Sequence, residues 1–69
     1  MMNIRIIDNT MRFDPEEHTL EELGIKVGSV HWAMISADGT GYIYAPETNE
    51  LVNKGDAISI NPEEYVIEE

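Results

Sequence analysis

Two histidines, His18 and His31, and the serine two positions before the second, Ser29, are the residues whose types point to acid–base or nucleophilic chemistry. Thirteen positions separate the histidines, so they do not make the one-turn pair through which a helix binds zinc, and the chain has no cysteine to add a thiolate. No metal and no cofactor are expected. Ser29 and His31 share a strand face and acids are plentiful, so a Ser-His-acid set can be composed. A working triad also needs a pocket, an oriented base and oxyanion donors, and a chain of 69 residues has little volume for all three. The expectation is a surface histidine on a strand, no catalytic residue, and a protein that is not an enzyme. Asp38-Gly39-Thr40-Gly41 is shorter than either glycine-rich nucleotide loop and has no helix start behind it, so it is expected to form a turn.

Charge is the next feature. Fourteen acidic residues oppose four basic ones, a formal charge of −10. Phosphate backbones and anionic lipid meet repulsion from such a chain, so direct nucleic-acid or membrane binding is not expected. The pairs Glu16-Glu17, Glu21-Glu22, Glu63-Glu64 and Glu68-Glu69 lack the alternate acids and central glycine of a calcium loop. They make a solvated acidic face, or else a surface that occupies a basic groove built for phosphates, as a nucleic-acid mimic does. A net charge of about 2–8 is ordinary for a small soluble domain, so charge alone favours the first reading. Glu16, Glu17, Glu21 and Glu22 are the candidates for steering a basic partner. Trp32, Tyr42 and Tyr44 are the candidate anchors, because a thin core leaves some of these and of Ile7, Ile35 and Ile67 outside, where aromatic residues mark contacts. A protein partner or a homo-oligomer would cover them. Arg5, Arg12, Lys26 and Lys54 are the only side chains that could bind phosphate strongly, and an oligomer would have to gather them to sequester a signalling nucleotide.

The elements that must position these residues are short. Residues 1–69 are read as one domain, 42% apolar and 26% charged, a mixture that folds. Its core is thin, and at this size net stability seldom exceeds about 3–5 kcal/mol. No run approaches the roughly 18 apolar residues of a membrane span, and Met1 to Thr10 lacks a basic start and long apolar stretch, so the expected location is cytoplasmic. Asn3 to Asp8 predicts a first strand, with Ile4 and Ile6 alternating. Within Asn9 to Lys26 a helix of one or two turns is expected, capped by Asp14 before Pro15 or by Thr19 with Glu22, and ended by Gly24. Ser29 to Ala37 predicts a second strand, with Val30, Trp32 and Met34 on one face and His31, Ala33 and Ile35 on the other. Asp38-Gly39 turns the chain into a third, Gly41 to Ala45. Leu51-Val52 could add a short strand, Ala57 to Ile60 alternates again, Asn61 to Glu64 fits a single helical or 3₁₀ turn, and Tyr65 to Ile67 gives a last short strand. The class is all-β with one short helix or helical turn, an antiparallel barrel of five to six short strands.

Gly24-Ile25-Lys26-Val27-Gly28, the strand Gly41-Tyr42-Ile43-Tyr44 and the ending Asn61 to Glu69 resemble small Src-homology-3-like barrel proteins of bacteriophages and mobile elements of Gram-positive bacteria. That resemblance implies an SH3-like barrel and, among functions, inhibition of a host defence or nucleic-acid-processing protein. A single tryptophan and no aromatic cluster near the first strand argue against polyproline recognition. The leading expectation is a binding protein acting on a host protein through its acidic and aromatic surface. A nucleotide-sequestering oligomer and a structural module are the alternatives.

Overall fold

The computed structural model describes residues 1–68, and apart from one 3₁₀ turn its regular elements are all strands. They are β1 (Met2–Ile6), β2 (Val30–Ile35), β3 (Gly41–Tyr44), β4 (Ala57–Ile60) and β5 (Tyr65–Ile67), with the 3₁₀ turn Pro62–Glu64 before the last. Their order across the sheet is β4-β3-β2-β1-β5, every neighbouring pair antiparallel. The sheet curls into a half-barrel, so the small SH3-like barrel expected from the sequence is realised with five strands.

Alternation along the strands decides which side chains enter the core. Ile4 and Ile6 of β1, Ala33 of β2, Ile43 of β3, and Ile58 and Ile60 of β4 are buried on the concave side. Leu20, Ile25 and Ala45 close that core from the connections. The convex side keeps Trp32, Met34, Tyr42 and Tyr44 exposed. Ile35 is half-buried against the core, whereas Ile7 and Ile67 remain outside.

Three expectations need correction. No helix forms between Asn9 and Lys26. Thr19 and Glu22 do exchange the reciprocal bonds of a capping box, at 2.9 and 3.2 Å. The exit begins at once, however: the N–H of Gly24 bonds Glu21 O at 3.0 Å and that of Ile25 bonds Leu20 O at 2.9 Å, with Gly24 at φ +87°. Those two bonds are a Schellman C-terminus, so start and stop signals five residues apart leave one turn. Asp14 caps no helix either; it makes an Asx turn, its Oδ1 accepting the Glu16 N–H at 2.9 Å. The strand expected at Leu51-Val52 is absent because Asn49 Oδ1 accepts both of their N–H groups, at 2.8 and 3.2 Å.

The β2–β3 hairpin turns over Ser36 to Gly39, with the Gly39 N–H bonded to Ser36 O at 3.0 Å. Gly39 alone takes a positive φ, +89°, while Asp38 does not, so the turn is the bulged kind and not a two-residue type I′. Its Asp38 side chain accepts the Thr40 N–H at 3.0 Å. Tyr65 Oη donates to Gly39 O at 2.6 Å and ties this hairpin to β5.

A candidate acidic and aromatic interface

Glu16 and Glu17 stand on the long connection between β1 and β2. The Asx turn at Asp14, completed by the Glu17 N–H on Asp14 O at 3.0 Å, keeps both side chains exposed. The connection is pinned at two further points. Asn9 Nδ2 donates to Ile25 O at 2.9 Å, and Asn49 Nδ2 donates to Leu23 O at 2.8 Å. Glu22 is not free for a partner. Its carboxylate receives the Thr19 N–H and the Arg12 guanidinium, and these hold its pKa below the ordinary carboxylate range, the Thr19 bond first.

Between this connection and the edge strand β4 runs an open cleft of about 520 Å³. Met11, Phe13, Leu20 and Leu23 line it from the connection, and Tyr42, Ala57 and Ser59 from the sheet. Glu16, Glu17 and Glu64 bring three acids to it. Glu64 is only 3% exposed, and its Oε1 accepts the Asn61 N–H at 3.0 Å and Asn61 Nδ2 at 3.3 Å. A second, smaller groove of about 220 Å³ lies on the convex face, with Met1, Met34, Tyr42, Tyr44 and Ala57 around it.

Tyr42 borders both depressions. It pairs across the sheet with Met34 on one side and Ser59 on the other. Tyr44 is 70% exposed and Trp32, opposite Asn3 on the same convex face, 58%. The structure therefore brings Glu16, Glu17 and Tyr42 to one cleft and Tyr42 and Tyr44 to the adjoining groove. Trp32 borders neither depression, and neither does Glu21 or Glu22.

The four basic side chains are dispersed. Arg5 forks onto Glu68 through Nε at 2.9 Å and Nη2 at 2.6 Å and also donates to Gly28 O. These bonds hold the Glu68 carboxyl below its ordinary range. Arg12 is engaged by Glu22 and by Glu17 O. Lys26 and Lys54 are exposed in separate connections, and neither depression is lined by arginine or lysine.

Ser29 and His31 do meet, Oγ to Nε2 at 2.7 Å. The Ser29 hydroxyl also lies 2.5 Å from Lys26 O, an acceptor with no proton of its own, so the hydroxyl donates there and His31 Nε2–H donates to the serine. A histidine in that role cannot remove the serine proton. His31 is half-buried, not the surface residue expected from the sequence, and desolvation lowers its pKa. Among the described residues no cluster of three or more His, Cys, Asp or Glu side chains is arranged to hold a metal ion. Among the described residues no helix is long and apolar enough to cross a membrane.

Met11, Phe13, Glu64 and the rim of β4 are site residues that the sequence reading missed. One signal was there: Met11 and Phe13 are apolar residues stranded in a polar connection. Glu64 carries another, since Asn61-Pro62-Glu63-Glu64 places a glutamate three residues after a capping asparagine. No protein-family model, curated protein or solved structure matches the chain.

Proposed function

We propose that this chain is a non-enzymatic binding protein that occupies a basic groove on another protein, of the kind that otherwise receives nucleic acid. The resemblance to phage proteins extends the reading to a host factor blocked in the host cytoplasm. The observation that carries the reading is the position of Tyr42, an outward aromatic shared by an acidic cleft and an apolar groove. Acids at the rim accelerate encounter with a basic surface, and a central desolvated aromatic supplies the holding contact. Isolated acidity would serve solubility equally well; acidity placed around an exposed apolar patch is the pattern of a recognition surface.

No observation here favours nucleotide sequestration. Two of the four cations are committed to glutamates, and neither depression is lined by arginine or lysine. The test is retention of host proteins on the immobilised chain. Proteins retained in low salt should elute with rising salt, and the double variant Glu16→Lys, Glu17→Lys should lose them while Lys54→Glu keeps them. Equal retention by both variants would contradict the reading. Glu22 is left intact because its carboxylate closes the Thr19 turn.

A further inference from the structure

We propose that β4 is a receptor edge: an extended basic segment of the partner protein pairs with it as a sixth strand, lying in the acidic cleft. This deepens the reading above and rests on it.

The hydrogen-bond phase of the hairpin identifies the free groups. The Ala45 N–H bonds Asp56 O at 2.8 Å, so Ala45 and Asp56 form a hydrogen-bonded pair at the end of the β3–β4 ladder. Pairs alternate along an antiparallel ladder. Tyr44↔Ala57 is then a non-bonded pair, Ile43↔Ile58 a bonded one, and Tyr42↔Ser59 a non-bonded one again. The N–H and C=O groups of Ala57 and Ser59 consequently point away from β3. Neither residue makes any other hydrogen bond among the described residues, and both line the cleft.

Natural edges are usually blunted by lysine, proline or a bulge. Ala57-Ile58-Ser59-Ile60 has none of these, and both outward side chains are small. Such an edge accepts a strand from another chain. Charge decides which chain. A second copy would bring Glu16, Glu17 and Glu64 against the same three residues, on molecules that each carry −10. Arginine or lysine would instead find the exposed carboxylates of Glu16 and Glu17, in a cleft that has no arginine or lysine of its own and whose one basic side chain is His18. Alternation in the added strand would set apolar side chains toward Leu20 and Ile58.

The probe is an alternating Arg-Val hexapeptide, titrated into the full chain labelled with ¹⁵N at low salt. Two analogues, N-methylated at every valine or at every arginine, keep the charge but lose one register of backbone donors. At a free peptide concentration ten times its Kd, the Ala57 and Ser59 amides should exchange with solvent about tenfold more slowly. One N-methylated analogue should bind at least about tenfold more weakly than the parent. An equal Kd for all three peptides, or protection confined to Trp32 and Tyr44, would overturn the strand pairing and leave the acidic–aromatic reading standing. No binding by any basic peptide would overturn both.

Discussion

Tyr42 and His31 occupy opposite faces of neighbouring strands, and each shows what one position in the alternation commits a residue to. Tyr42 faces out, so its loss leaves the core intact. Tyr42→Ala should cost under about 1 kcal/mol of stability, yet weaken partner binding by about 2 kcal/mol or more, roughly 30-fold, if it is the central anchor. Denaturation and a binding isotherm on the same sample check both. His31 faces in, and its neutral form is favoured in the fold. A histidine whose folded pKa lies below the unfolded value contributes stability above about pH 6.5 and loses it as pH falls through the folded value. The urea midpoint should therefore decline between pH 7 and 5, and His31→Asn should flatten that slope. At the core, Ile60 is fully buried. Ile60→Val should cost about 0.5–1.5 kcal/mol and Ile60→Ala about 2–5, enough to consume most of the chain's stability. Which residues share a strand face was legible from period-two alternation; which face turns outward was not, since His31 was expected at the surface and lies on the Ala33 side. That Ser29 donates to Lys26 O was not, because the carbonyl comes from the connection before β2.

Elements here are bounded by signals set close together. Thr19 with Glu22 starts a turn and Gly24 ends it, and the sequence carried both signals plainly; their spacing is what denied a helix. Thr19→Ala should cost about 1 kcal/mol, read as a lower urea midpoint, because it uncaps that turn. Gly39 bears a heavier constraint. An alanine there would keep φ near +89° and place its Cβ 3.1 Å from Pro62 Cγ. Gly39→Ala should accordingly cost at least about 1–2 kcal/mol. Leu51-Val52 is apolar enough to be called a strand, and only the long-range geometry of Asn49, which reaches both Leu23 and the Val52 N–H, explains why it is a loop. The cleft was illegible for the same reason: its walls come from the β1–β2 connection and from β4, far apart in sequence.

For the whole molecule, the arrangement of charge matters more than its sum. The radius of gyration, 11.1 Å, is that of a fully folded chain of this length. With 4606 Å² of accessible surface, one standard interface of about 800 Å² takes only part of it. The acidic cleft and the convex aromatic face meet at Tyr42, so one partner could cover both. A photo-reactive phenylalanine analogue placed at position 42 and irradiated in host lysate would capture the basic protein that does so. The expected result is a crosslink to a basic protein that fades with rising salt and with excess duplex DNA. A crosslink indifferent to both, or one formed equally well from position 54, would contradict it.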